Sequence, residues 1–110
     1  MQIHEVKVLG LIGDLIQNRI EEVKKELDHD LGEAHPKGLV IALAQVGRLD
    51  AGGVALLAGL IRQVKDRGGK ACLAEAAPRL AEGLKLAGLS RLAPLLKDRE
   101  EARDYLCRQS

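Results

Sequence analysis

The chain has 110 residues, 46% hydrophobic, 30% charged and 1% aromatic, with a formal net charge of +1. That length supports one domain, residues 1–110, with its own aliphatic core. The near-neutral balance gives no electrostatic case for nucleic acid or an anionic membrane, and a lone Tyr105 without Phe or Trp leaves no platform for stacking bases.

No apolar run approaches the roughly 20 residues that cross a bilayer. No basic head precedes a long apolar stretch. Cys72 and Cys107 lack a CxxC spacing, and nothing else suggests an oxidising compartment. The expectation is a soluble, cytoplasmic protein without a disulfide, with Cys72 a small buried hydrophobe.

In chain order, Ile3, Val6, Val8, Leu9 and Leu11 predict a first strand or hairpin, irregular at Gly10 and closed by Gly13. Ile16, Ile20, Val23, Leu27 and Leu31 then recur at helical spacing, with Arg19, Glu21, Glu22, Lys24 and Lys25 off the stripe. Gly32 to Gly38, with Pro36, reads as a loop. Leu39 to Ala44 is a near-continuous apolar run, the signature of a strand buried on both faces.

Arg48-Leu49-Asp50-Ala51-Gly52-Gly53 follows as a turn that delivers an acidic cap. A helix from about Gly53 to Arg67 should bury Val54, Leu57, Ile61 and Val64. Gly68-Gly69 ends it and Lys70 to Ala74 predicts the next strand, completing a parallel βαβ unit. Pro78 suits the first turn of a short helix carrying Leu80, Leu84 and Ala87 and ending at Gly88. Leu92 to Leu96, interrupted by Pro94, predicts a final edge strand. Asp98-Arg99-Glu100-Glu101 has the form of a capping box and opens a last helix with Ala102, Tyr105 and Leu106 inward.

Asp50 to Gly53 is the leading candidate site. Asp50 can cap helix N–H groups, and two glycines can leave such groups open to an anion or a second backbone. A plain helix cap would explain the same residues. Gly10-Leu11-Ile12-Gly13 lacks the third glycine of a dinucleotide fingerprint, and a tight strand end suffices for it. Asp28, His29, Asp30, Glu33 and His35 fit no standard zinc or calcium spacing; solvated charge at a helix end explains them, and no metal or cofactor is expected. Ser occurs only at Ser90 and Ser110 and Thr not at all, neither Ser sits in a nucleophile elbow, and no catalytic arrangement stands out.

The order and spacing of these segments resemble the STAS domain, the fold of bacterial anti-sigma factor antagonists. Leu11-Ile12-Gly13-Asp14-Leu15 looks like the family's Leu-Ser-Gly-x-Leu segment. Asp50 and Gly53 match the ends of its Asp-Ser-Ser-Gly turn, and Arg67-Gly68-Gly69 its helix end. Leu86-Ala87-Gly88-Leu89 looks like its Leu-Thr-Gly-Leu.

The resemblance implies a mixed, mostly parallel α/β sheet with helices mainly on one face. It also implies a non-enzymatic module in signal transduction and transcription regulation, whose protein partner is an anti-sigma factor or serine-kinase-type regulator. Leu49, Asp50, Ala51, Gly52, Gly53 and Leu56 would form the contact surface. In the family, phosphorylation of a hydroxyl in this turn prevents binding. Here Ala51 and Gly52 stand in place of the hydroxyl residues, so Gly52 is a degenerate acceptor position. An unswitched antagonist, a regulatory subunit of a lipid-transport ATPase and a sensor of a small ligand or anion all follow from that departure.

Overall fold

The computed structural model describes residues 6–31 and 37–108. Ile3, Glu33, His35, Pro36 and Ser110 lie outside the described residues, as do the side chains of Asp28, Asp30 and Leu31. Strands β1 (Val6–Ile12), β2 (Gly38–Gln45), β3 (Lys70–Ala74) and β4 (Leu95–Leu96) form one sheet in the order β1-β2-β3-β4. Helices α1 (Ile20–Leu31), α2 (Ala51–Asp66), α3 (Pro78–Leu86) and α4 (Arg99–Arg108) connect and follow them.

Every strand pairing among the described residues is parallel. Within the described residues β1 is a single strand, parallel to β2, and Ile3 of the expected strand or hairpin lies outside them. Its register slips between Gly10 and Ile12, where the sequence is irregular.

β2 is central, and its side chains alternate between two cores. Leu39, Ile41 and Leu43 meet Val23 and Leu27 of α1, Leu57, Ile61 and Val64 of α2, and Leu80 and Leu84 of α3. Val40 meets Cys72 and Ala74 of β3 and Ala102 and Leu106 of α4 on the opposite face. Three helices therefore cover one face and α4 alone covers the other. A strand buried on both sides must be apolar without interruption, which is why β2 reads so plainly in the sequence. Cys72 is fully buried, and desolvation pushes its thiol up to about 12, so it behaves as a hydrophobe.

Several boundaries differ from expectation. Ile16 precedes a 3-10 turn over Gln17–Arg19, and the α-helix proper starts only at Ile20. α2 starts at Ala51, not Gly53, because Asp50 is its N-cap and both glycines fall in the first turn. Val54 is half-buried, whereas Leu60 faces α1 and is buried, so the buried stripe of α2 is displaced toward α1. Ala87 is exposed. Leu89–Arg91 forms a 3-10 turn and β4 shrinks to two residues, with the Pro94 carbonyl accepting from Leu73 N–H beside it. Asp98 caps α4 as expected, its Oδ1 accepting from Glu101 N–H at 2.8 Å.

Candidate functional site

The C-terminal ends of β1 and β2 meet at the start of α2, and a lattice of backbone bonds ties them. Gly13 N–H donates to the Gln45 carbonyl at 3.0 Å, Leu15 N–H to Arg48 at 2.8 Å, and Asp50 N–H back to Leu15 at 3.2 Å. Asp14 Oδ1 accepts from Arg48 N–H at 3.1 Å, and the Arg19 guanidinium holds the Asp14 carbonyl at 2.6 Å. The segment after β1 thus lies along the segment after β2 as a short extra ladder, with a bridge at Leu15 and Leu49.

Asp50 is the hub of this lattice. Its Oδ1 accepts from Gly52 N–H at 2.9 Å and Gly53 N–H at 3.1 Å, and its Oδ2 accepts from Gln17 N–H at 2.9 Å. The Gln17 bond is the largest cause, ahead of those from Gly53 and Gly52, that holds the Asp50 carboxyl below its usual range despite an opposing desolvation. The N–H groups of Gly52 and Gly53 are therefore spent on Asp50 rather than open to an anion, which corrects that part of the sequence reading.

Crowding requires glycine at position 53, whereas at position 52 the nearest obstacle is the end of the Gln17 side chain. A Cβ on Gly53 would lie within 3.0 Å of the Leu15 carbonyl and side chain and of Leu49 Cδ1, closer than real Cβ atoms come. A Cβ on Gly52 would overlap Gln17 Oε1 and sit 3.2 Å from both Asp50 Oδ1 and Gln17 Cα. The Gln17 side chain thus covers the place where a residue-52 side chain would stand. Sequence reasoning missed Gln17, which lies 33 residues from Asp50 and carries no motif.

Of the predicted contact residues, the fold brings Leu49, Asp50, Ala51, Gly52 and Gly53 together at this tip. Asp50 and Ala51 are exposed and Gly52 is half-buried. Leu49 and Leu56 are half-buried and packed against the main core, so each offers only part of its side chain to a partner. Leu56 lies a full turn along α2, facing Leu27 and Lys24 of α1 across a separate hollow, away from the turn. Ser90 is exposed in the 3-10 turn after α3. Among the described residues no group of three His, Cys, Asp or Glu side chains converges as a metal would need.

A family model for the STAS domain matches residues 1–102, and the chain belongs to that family. No curated protein sequence matches it at significance. Among solved structures it is similar to a sulfate transporter family protein from Wolinella succinogenes, with 22% identity and a TM-score of 0.76 over 92% of this chain and 84% of that one. The SulP transporter STAS domain from Vibrio cholerae gives 24% identity and a TM-score of 0.73, covering 90% of this chain and 78% of that one. The anti-sigma factor antagonist SpoIIAA in its unphosphorylated form gives 21% and 0.72, covering 96% and 90%. Identities this low establish the fold alone. Among the described residues no helix is long and apolar enough to cross a membrane.

Proposed function

We propose that this domain is a non-enzymatic regulatory interaction module of the anti-sigma factor antagonist kind, whose contact turn is not switched by phosphorylation. Its partner is an anti-sigma factor or other serine-kinase-type regulator, met in the cytoplasm. The contact surface is the tip formed by Leu49, Asp50, Ala51, Gly52 and Gly53, with Gln17 added.

One observation carries this reading. The tip is braced by Asp50 through three N–H bonds, yet it holds no hydroxyl, and the Gln17 amide covers the position where one would sit. A braced surface binds with little ordering cost. A surface without an oxygen nucleophile cannot take the charge of nearly two units that a phosphate would add. The likeness to transporter STAS domains supports a second reading, a regulatory unit docked on a transporter, and the family resemblance extends it to a subunit of a lipid-transport ATPase. The anion-sensor reading is weakened because the N–H groups it would use are taken.

The test is titration of the purified domain, by calorimetry, with the serine-kinase-type regulators and the transporter ATPase subunits encoded in the same genome. Binding to a kinase-type regulator, equal in ADP and ATP, is expected. Binding to an ATPase subunit alone would replace the first reading with the second.

A further inference from the structure

Beside the braced tip lies an open groove of about 930 Å³ between the start of α2 and the outer side of α3. α3 has one buried apolar face and a mixed outer one. Leu80 and Leu84 point into the core, whereas Arg79, Gly83, Leu86 and Ala87 recur at i, i+4, i+7 and i+8 and line the groove. Leu86 is 83% exposed, and a Cβ on Gly83 would meet nothing within 4 Å, so the α3 wall is a notch followed by an uncovered leucine. An uncovered leucine beside a notch leaves apolar area that a partner can bury.

The charges on the groove select its occupant. Arg48 and Arg79 stand on its walls, and among the described residues neither guanidinium has an ion pair. Asp50, the acid lining the same groove, already accepts three N–H bonds. α3 begins at Ala77 with no side-chain cap, so the positive end of its dipole adds to the field. A free anion would satisfy the arginines but leave Leu86 bare. Among the described residues a second copy of this chain offers no matching helix: Ile20, Val23 and Leu27 of its acidic helix α1 are buried, and α4, with three Arg against three acids, is not acidic.

Resting on the interaction-module reading, we propose that the groove docks an amphipathic helix of the partner, with leucine-type residues at helical spacing flanked by Asp or Glu. The leucines cover Leu86 and enter the notch at Gly83, and the acids pair with Arg48 and Arg79. Such rim pairs govern orientation, association rate and salt dependence more than raw affinity.

The experiment uses two designed peptides of about three helical turns, identical in their leucines but flanked by Glu in one and Lys in the other. Each is titrated into the isotope-labelled domain and followed by amide NMR shifts, alongside sedimentation of the domain alone. The Glu peptide should shift Arg48, Val54, Gly83 and Leu86, bind roughly tenfold more tightly than the Lys peptide, and weaken with salt. The Leu86→Ser/Arg79→Glu variant, altered only at exposed positions, should keep its circular dichroism and lose that binding. Equal binding of both peptides, no shifts at about 1 mM, or a dimer abolished by the variant would overturn the proposal. A kinase-type regulator that binds wild type and variant alike overturns the groove and leaves the module reading standing. Regulators that all fail to bind while the Glu peptide still does would remove the module reading and keep the groove.

Discussion

The N-termini of α2 and α3 open toward the same groove, but they are built in opposite ways. α2 starts from Asp50, which takes N–H groups from its own first turn and from the segment after β1. α3 starts from Ala77-Pro78, with no side-chain cap. At the α2 end a Cβ on Gly53 would run into the Leu15 backbone, whereas the outer face of α3 leaves a glycine in open space and a leucine in water. A fixed turn beside an uncovered wall is what a recognition surface needs: one part sets geometry, the other supplies area to bury.

The largest effects should come from cutting α2 loose. Ile61 is fully buried between β2 and the helix layer, so Ile61→Ala should cost about 2–5 kcal/mol in urea unfolding. A loss under about 1 kcal/mol would show that α2 is not the anchored element.

Gly53→Ala should come next, at about 1–3 kcal/mol, because its Cβ runs into the Leu15 backbone. Gly83→Ala, made in the open wall of α3, should be neutral or stabilising, since alanine is the better helix former there. Equal losses at the two glycines would erase the contrast between the helices.

Asp50→Asn sharpens the comparison through pH. The folded carboxyl titrates below its ordinary value of 3.8, so its contribution is full above that value and is lost as pH falls through the lower, folded one. Wild type should therefore exceed Asp50→Asn in stability at neutral pH, and the gap should close below pH 3.8. A gap unchanged down to pH 2 or so would show that the carboxylate is not the hub. The smallest effect should be Leu86→Ala, within about 0.5 kcal/mol in unfolding, since the side chain is already in solvent.

Much of this contrast was legible in the sequence, though unevenly. The βαβ unit was readable to within two residues at each boundary because β2 is buried on both faces and α2 repeats its apolar residues at helical spacing. The Asp50 cap was readable too. The reason for Gly52-Gly53 was not. In sequence the pair suggests openness, but the structure shows close approach of a segment more than 30 residues away. Gln17 was invisible because its role depends on the backbone of residues 13–19 lying against residues 46–53, a long-range pairing with no periodicity. The outward face of α3 was hidden by Leu86 and Ala87, which read as ordinary helical stripe or motif residues until the helix phase placed them in solvent.

The central claim is that the braced tip binds a partner without a phosphorylation switch. The most direct test is incubation of wild type and the Gln17→Ala/Gly52→Ser variant with the cognate serine-kinase-type regulator and ATP, followed by intact-mass measurement, peptide mapping and binding. Removing the Gln17 amide first makes room for the new hydroxyl. Wild type should gain no phosphate and stay bound, while the double variant should be modified at position 52 and released. Phosphate on wild type, mapped to the exposed Ser90 and accompanied by loss of binding, would contradict the account.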